Sequence, residues 1–157
     1  MKRDYPDRPI VGVGAVIVEN GRALLVRRGT EPLKGEWSIP GGVVELGETL
    51  RAAAAREAKE ETGLEVEPGE VLEVVDRIMR DPQRNVQYHY VLVDFLCRRV
   101  SGEARSGADA SELRWITPEE LERFPIADSA AAVLRKGFEH AEQNQTARNS
   151  SESAGRR

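Results

Sequence analysis

Apolar and polar positions alternate in runs that change period several times along the chain. Ile10 to Glu19 (IVGVGAVIVE) is rich in β-branched residues and predicts a strand. Asn20-Gly21 is a two-residue hairpin signal, and Arg22 to Arg28 (RALLVRR) predicts the returning strand. Residues 29–36 predict a loop containing Pro32 and Gly35, followed by a short apolar piece, Trp37-Ser38-Ile39. Pro40-Gly41-Gly42 predicts a sharp break. The period then becomes helical. Thr49 is an N-cap candidate, the helix is expected from about Leu50 to Thr62, and Gly63 stands at the C′ position. Leu50, Ala54 and Ala58 form its apolar stripe, and the small residues Ala52 to Ala55 allow close approach to a sheet.

Strand patterns return at 64–66 and 71–79, with an interruption predicted at Pro68-Gly69. They continue in the long run VQYHYVLVDFLCR from Val86 to Arg98 and in a last short strand, Leu113 to Ile116. Thr117-Pro118-Glu119-Glu120 is a helix start with Pro at N1 and Glu at N3. A further helix is expected from about Asp128 to Glu139. Residues 1–9 predict an irregular arm. Residues 141–157 have little apolar content and predict a disordered tail, leaving 1–140 as one domain. Strands, helix, strands, helices in that order predict an α+β protein, an α/β/α sandwich around a mixed sheet.

The chain has 157 residues and a net charge of −4, with 32% charged and 39% hydrophobic residues. An acidic protein of this size lacks the electrostatic footprint of a nucleic-acid or anionic-membrane binder. No apolar run approaches the roughly 18 residues of a membrane span, and the charged N-terminus is read as having no leader h-region behind it, since Ile10 to Glu19 is assigned to a strand. The single cysteine, Cys97, excludes an intramolecular disulfide and is read as a small buried residue. The expected setting is cytoplasmic.

Glu57, Glu60 and Glu61 fall at i, i+3 and i+4, so a helix places three carboxylates on one face. Like charges so arranged weaken a helix, which a cation would relieve. Carboxylates are hard ligands suited to Mg²⁺ or Mn²⁺, and Mg²⁺ takes one or two of them together with substrate phosphates. An Arg56–Glu60 pair on a solvated helix surface explains REAKEE alone, but not also Gly41-Gly42, Glu45, Glu48 and the closing Thr62-Gly63.

Gly42, Glu48, Arg56, Glu57, Ala58, Glu60, Glu61, Gly63 and Leu64 stand at fixed spacings that resemble the signature of the Nudix hydrolases. The likeness extends to Trp37 and Pro40-Gly41-Gly42 before the box and to Trp115 and Thr117 to Leu121 after it, covering about residues 10–138. It implies a Nudix fold, with a central mixed sheet and a catalytic loop-helix. It also implies hydrolysis of a nucleoside diphosphate linked to another group, assisted by Mg²⁺ or by Mn²⁺ as a substitute.

The resemblance assigns metal binding to Glu60, Glu61, Glu57 and the Gly42 carbonyl, with Glu57 a ligand or a base. Arg56 would orient an acid, and Glu48 and Glu45 would anchor the loop or serve as secondary metal positions. Glu112 is a candidate base, ligand or nucleobase contact, and Asp109 is a weaker version of the same idea. One of Arg27 and Arg28 is a candidate phosphate clamp, since alternation sends them to opposite faces. Trp37 and Tyr88 are candidate substrate contacts; Tyr88 and Tyr90 share a face, and His89 is read as a structural strand residue.

The expected partner is a small nucleotide, with ADP-ribose or a related NDP-sugar first. Alternatives are a MutT-like nucleoside triphosphate pyrophosphatase and a non-catalytic nucleotide-sensing module. A homodimer is left open.

Overall fold

The computed structural model describes residues 2–31, 33–107 and 109–155. Strands β1 (Ile10–Glu19) and β2 (Arg22–Arg28) form the expected hairpin. Asn20 and Gly21 both have positive φ, 51° and 74°, the backbone that lets a two-residue turn follow the strand twist. Then come β3 (Trp37–Ser38), β4 (Gly41–Val43) and helix α1 (Leu50–Thr62), followed by β5 (Glu65–Arg80), β6 (Val86–Ser101), β7 (Ala110–Ile116), α2 (Pro118–Leu121) and α3 (Asp128–Gly155).

The seven strands form one mixed sheet in the order β3-β2-β1-β6-β5, with β4 added on β1 and β7 on β2. Among the described strand pairings only β1–β6 is parallel, and an isolated parallel bridge joins Trp37 to Ile126. Alternation along β1 and β6 divides the core. Val13, Ala15, Ile17, Val93 and Phe95 meet Ala53, Ala54 and Ala58 of α1. Val16, Leu25, Leu72 and Leu96 meet Ala131, Val133 and Leu134 of α3 on the other face. The α/β/α sandwich expected from the sequence is the observed fold.

Four local expectations change. Gly41 and Gly42 form a short strand on β1 instead of a break. A Cβ on Gly41 would overlap the Val13 carbonyl oxygen, so only glycine permits this approach. Pro68-Gly69 does not divide β5. The strand lies at the sheet edge and absorbs them as register irregularities between Pro68 and Glu73, the setting in which a strand tolerates proline. The buried stripe of α1 is Ala53, Ala54, Ala58 and Thr62, with Leu50 exposed.

The fourth change concerns residues 141–155, which are helical instead of unstructured. Asp128 to Phe138 already form a helix packed on the sheet. Extending a formed helix is far easier than nucleating one, and no proline or glycine intervenes between Gly137 and Gly155. Among the described residues no helix is long and apolar enough to cross a membrane.

Candidate active site

The acidic face is placed by the ends of α1. Thr49 accepts the Ala52 N–H at 3.1 Å, and Gly63, with φ 77°, donates its N–H to the Lys59 carbonyl at 2.9 Å. Between these caps Arg56 holds the loop to the helix. Its Nε and Nη2 donate to the two Glu48 oxygens at 2.7 and 2.9 Å. Its Nη1 donates to Glu57 at 2.8 Å and Glu60 at 3.3 Å, and Nη2 also reaches the Val43 carbonyl at 3.1 Å. Glu45 stands at the rim, 4.0 Å from Arg56, and its backbone N–H donates to Glu48 at 3.1 Å. These bonds from Arg56 hold the Glu48 carboxyl down at about 2, and Glu48 above all raises the Arg56 pKa further.

The acids of α1 are not alike. Glu60 is half exposed, whereas the Glu57 side chain keeps only 14% of its surface open. Burial raises Glu57 despite the Arg56 contact. Glu61 is pushed up to about 7, mainly by burial, with the Gly41 N–H (3.2 Å) opposing the shift and Glu57 adding to it. Gly42 lies flat against this pair, and a Cβ there would overlap the Glu57 carboxylate. Two partly buried carboxylates resisting ionisation stand beside a bare backbone, and their oxygens are hard donors of the kind a divalent cation takes. Among the described residues no three Asp, Glu, His or Cys side chains close around one point; Glu57 and Glu60 turn to Arg56 instead.

This region borders a cleft of about 480 Å³. The cleft follows from a change of partner along β1, which pairs with β4 through Gly12 to Gly14 and with β2 at Val18 and Glu19. Between the diverging strands the cleft collects Gly42, Arg56, Glu57, Glu60 and Glu61 with Arg27, Arg28, Trp37 and Asp109. Both arginines reach it, where alternation predicted one. Arg28 is the last residue of β2, at the end of the strand, and β7 skips Ser111 between the partners of Arg27 and Arg28. Arg27 is tied to the Gly35 carbonyl at 2.9 Å and to Glu112 at 3.5 Å. Arg28 acts on Glu61 electrostatically, stabilising its charge, while Asp109 opposes it. Trp37 forms part of the wall and packs edge-to-face on Phe124 at 5.3 Å.

Glu112 and Tyr88 do not line the cleft. Glu112 faces Arg27 from outside. Tyr88 stacks on Tyr90 at 6.5 Å, and it is Tyr90 that lies along the cleft. Cys97 is a buried free thiol raised to about 12 by desolvation, consistent with a packing role. Sequence reasoning passed over Arg3, Arg77 and Asp94, all of which line the cleft. The available signal for Asp94 was a charge in the middle of the apolar run VLVDFLC, opposite the glycines of β1.

Comparison with known proteins matches the NUDIX domain over residues 8–137. The chain belongs to the Nudix family. An "ADP-ribose pyrophosphatase" of Methanocaldococcus jannaschii is 36% identical over 116 residues, covering 74% of this chain and 66% of that protein. A "MutT-like protein" of Streptomyces ambofaciens is 36% identical over 108 residues, covering 69% of this chain and 63% of the relative. The chain thus spans just under two thirds of either relative's length. Among solved Nudix structures, a MutT Nudix hydrolase from Burkholderia pseudomallei superposes with a TM-score of 0.69 at 33% identity, covering 83% of this chain and 98% of that one.

Proposed function

We propose that this Nudix protein hydrolyses the pyrophosphate link of a nucleoside diphosphate derivative, ADP-ribose or a related NDP-sugar, to a nucleoside monophosphate and a second phosphorylated product. The observation that carries this reading is the meeting, in one cleft, of the acidic face of α1 with Arg27 and Arg28. Cations for an anionic substrate and oxygens for a divalent ion then line one space. The ADP-ribose choice rests on the archaeal relative's printed name and on the look of residues 35–48 and 88–95.

In this reading Glu60, Glu61, Glu57 and the Gly42 carbonyl hold Mg²⁺ or Mn²⁺. When bound, the ion neutralises phosphate charge and acidifies water. Arg56 fixes Glu57 and Glu48 by the hydrogen bonds described above, so the acids keep one orientation as substrate enters. Glu57, whose carboxyl burial raises, would serve either as one of these ligands or as the base that takes the proton of the attacking water. The oxygen of that water adds to phosphorus, the bridging P–O bond breaks, and the displaced oxygen stays on the second product. Arg27 and Arg28 bear on the phosphates, and Trp37 and Tyr90 border the remainder of the substrate. Glu112 acts through Arg27.

Product analysis tests this directly. AMP and ribose 5-phosphate should appear from ADP-ribose in the presence of Mg²⁺. The MutT-like relative favours a second reading, in which nucleoside triphosphates yield monophosphate and pyrophosphate. Preferential turnover of that kind, with ADP-ribose untouched, would replace the first reading by the second.

A further inference from the structure

Asp94 is the acid that the catalytic reading leaves unused. It sits in the middle of the sheet on β6, paired in register with Gly14 of β1 and Glu73 of β5, and is only 6% exposed. Its side chain lies across Gly14 so closely that a Cβ there would overlap the Asp94 carboxylate. Among the described residues, no hydrogen bond or ion pair reaches it. Its neighbour Glu73 is different, being held by Lys136 of α3. Every fully enclosed side-chain oxygen or nitrogen among the described residues has a partner, so the unpartnered Asp94 oxygens keep some accessible surface, and Asp94 lines the cleft. Burial and the nearby Glu73 charge push its pKa up to about 6, the mark of a carboxylate in want of donors.

The surroundings restrict what those donors can belong to. An anionic phosphate is repelled by a carboxylate and is served by Arg27 and Arg28 elsewhere in the cleft. Ile39 lies beside Asp94 over Gly14, Leu92 stands two residues along the same face of β6, and Val75 and Val133 add to the apolar lining of the cleft; Glu73, the register partner on β5, is occupied by Lys136. A buried acceptor in an apolar pocket suits an uncharged group with a donor-bearing edge, because an unpaired carboxylate strongly disfavours any occupant that cannot donate. We propose that Asp94 accepts hydrogen bonds from N–H or O–H donors of the nucleoside part of the substrate, making it the residue that selects the non-phosphate moiety. The inference deepens the nucleotide reading above and rests on it.

Calorimetric binding of AMP, GMP and their 2′,3′-dideoxy counterparts in EDTA tests it on the full chain, using wild type, Asp94→Ala and the near-isosteric Asp94→Asn. Circular dichroism first shows that each variant is folded. The expected result is a loss of at least tenfold in affinity for one of these nucleotides in both variants. If the donors are on the base, the ribo and dideoxy forms bind wild type equally and both weaken. If they are ribose hydroxyls, the dideoxy forms are already weak and insensitive to the substitution. Affinities of both variants within threefold of wild type for all four nucleotides would overturn the proposal. Because no turnover is involved, the result stands apart from the hydrolysis assay. Where a hydrolysed substrate is found, Asp94→Ala should raise KM by about 10- to 100-fold with kcat nearly unchanged. A fall in kcat at constant KM would place Asp94 in the chemistry and also overturn the proposal.

Discussion

Glu61→Gln should make the metal-free protein more stable while disabling it. The Glu61 carboxyl is raised from an ordinary 4.5 to about 7, chiefly by burial. One pH unit corresponds to about 1.4 kcal/mol, so the ionised side chain burdens the folded state by at most about 3 kcal/mol at pH 8. Glutamine keeps the acceptor for the Gly41 N–H but is itself a partly buried amide, so about 1–2 kcal/mol of the burden should be recovered. For a chain of this size that corresponds to a rise in Tm of about 2–8 °C. The folded pKa lies above the unfolded one, so the folded state binds the extra proton between about 4.5 and 7. Wild-type stability should therefore fall as pH rises through that window, and the two proteins should converge at and below pH 4.5. Thermal melts in EDTA at pH 4.5, 6 and 8 measure this. An increment independent of pH, or a destabilised mutant at pH 8, would refute the assignment of a desolvated carboxylate to Glu61.

Other consequences follow from the same geometry. Excess EDTA should abolish hydrolysis, and Glu57→Gln or Glu60→Gln should lower kcat by at least about a hundredfold with an unchanged circular dichroism spectrum; undiminished turnover in either case removes the metal reading. Gly42→Ala should impair metal binding, measured by Mn²⁺ titration, because its methyl group would overlap the Glu57 carboxylate. Arg56→Lys should lower activity nearly as far as Arg56→Ala, since an ammonium cannot span the two Glu48 oxygens and Val43 in one plane; full activity in the lysine variant would count against a role for the planar fork. Gly63→Ala should cost about 1 kcal/mol or more in urea melts, because φ is 77° there.

The helix and its acids were legible because they depend on short spacings. Caps at Thr49 and Gly63 bracket a helix whose observed limits are those predicted, and i, i+3, i+4 geometry puts Glu57, Glu60 and Glu61 together whatever the tertiary fold. The remainder of the cleft depends on how distant strands meet. Arg27 and Arg28 both line the cleft at the end of β2, where β7 skips Ser111, and no pattern within RALLVRR shows how a partner strand more than eighty residues later ends beside it. Tyr88 and Tyr90 share a strand face, so alternation could not tell which one borders the cleft. Asp94 gains its meaning from Gly14, eighty positions away, and a lone acid has no spacing to read. The helix over residues 141–155 was not legible because composition measures the capacity to form a core, whereas a helix already docked needs none to continue; residues 156 and 157 of the expected tail lie outside the described residues.

The parallel pairing of β1 with β6 has a consequence for how the chain reaches its native state. It joins Ile10 to Tyr90 and Ile17 to Cys97, so the centre of the sheet is one of the least local contacts in the molecule. The β1–β2 and β5–β6 hairpins can form early from neighbouring sequence, but closing the loop between them carries a large entropic barrier before any burial offsets it. During synthesis, β1, with its thin glycine stretch, must wait until Cys97 has left the ribosome. Loop closure on this scale therefore predicts that the pairing of Gly14 with Asp94 forms late in folding.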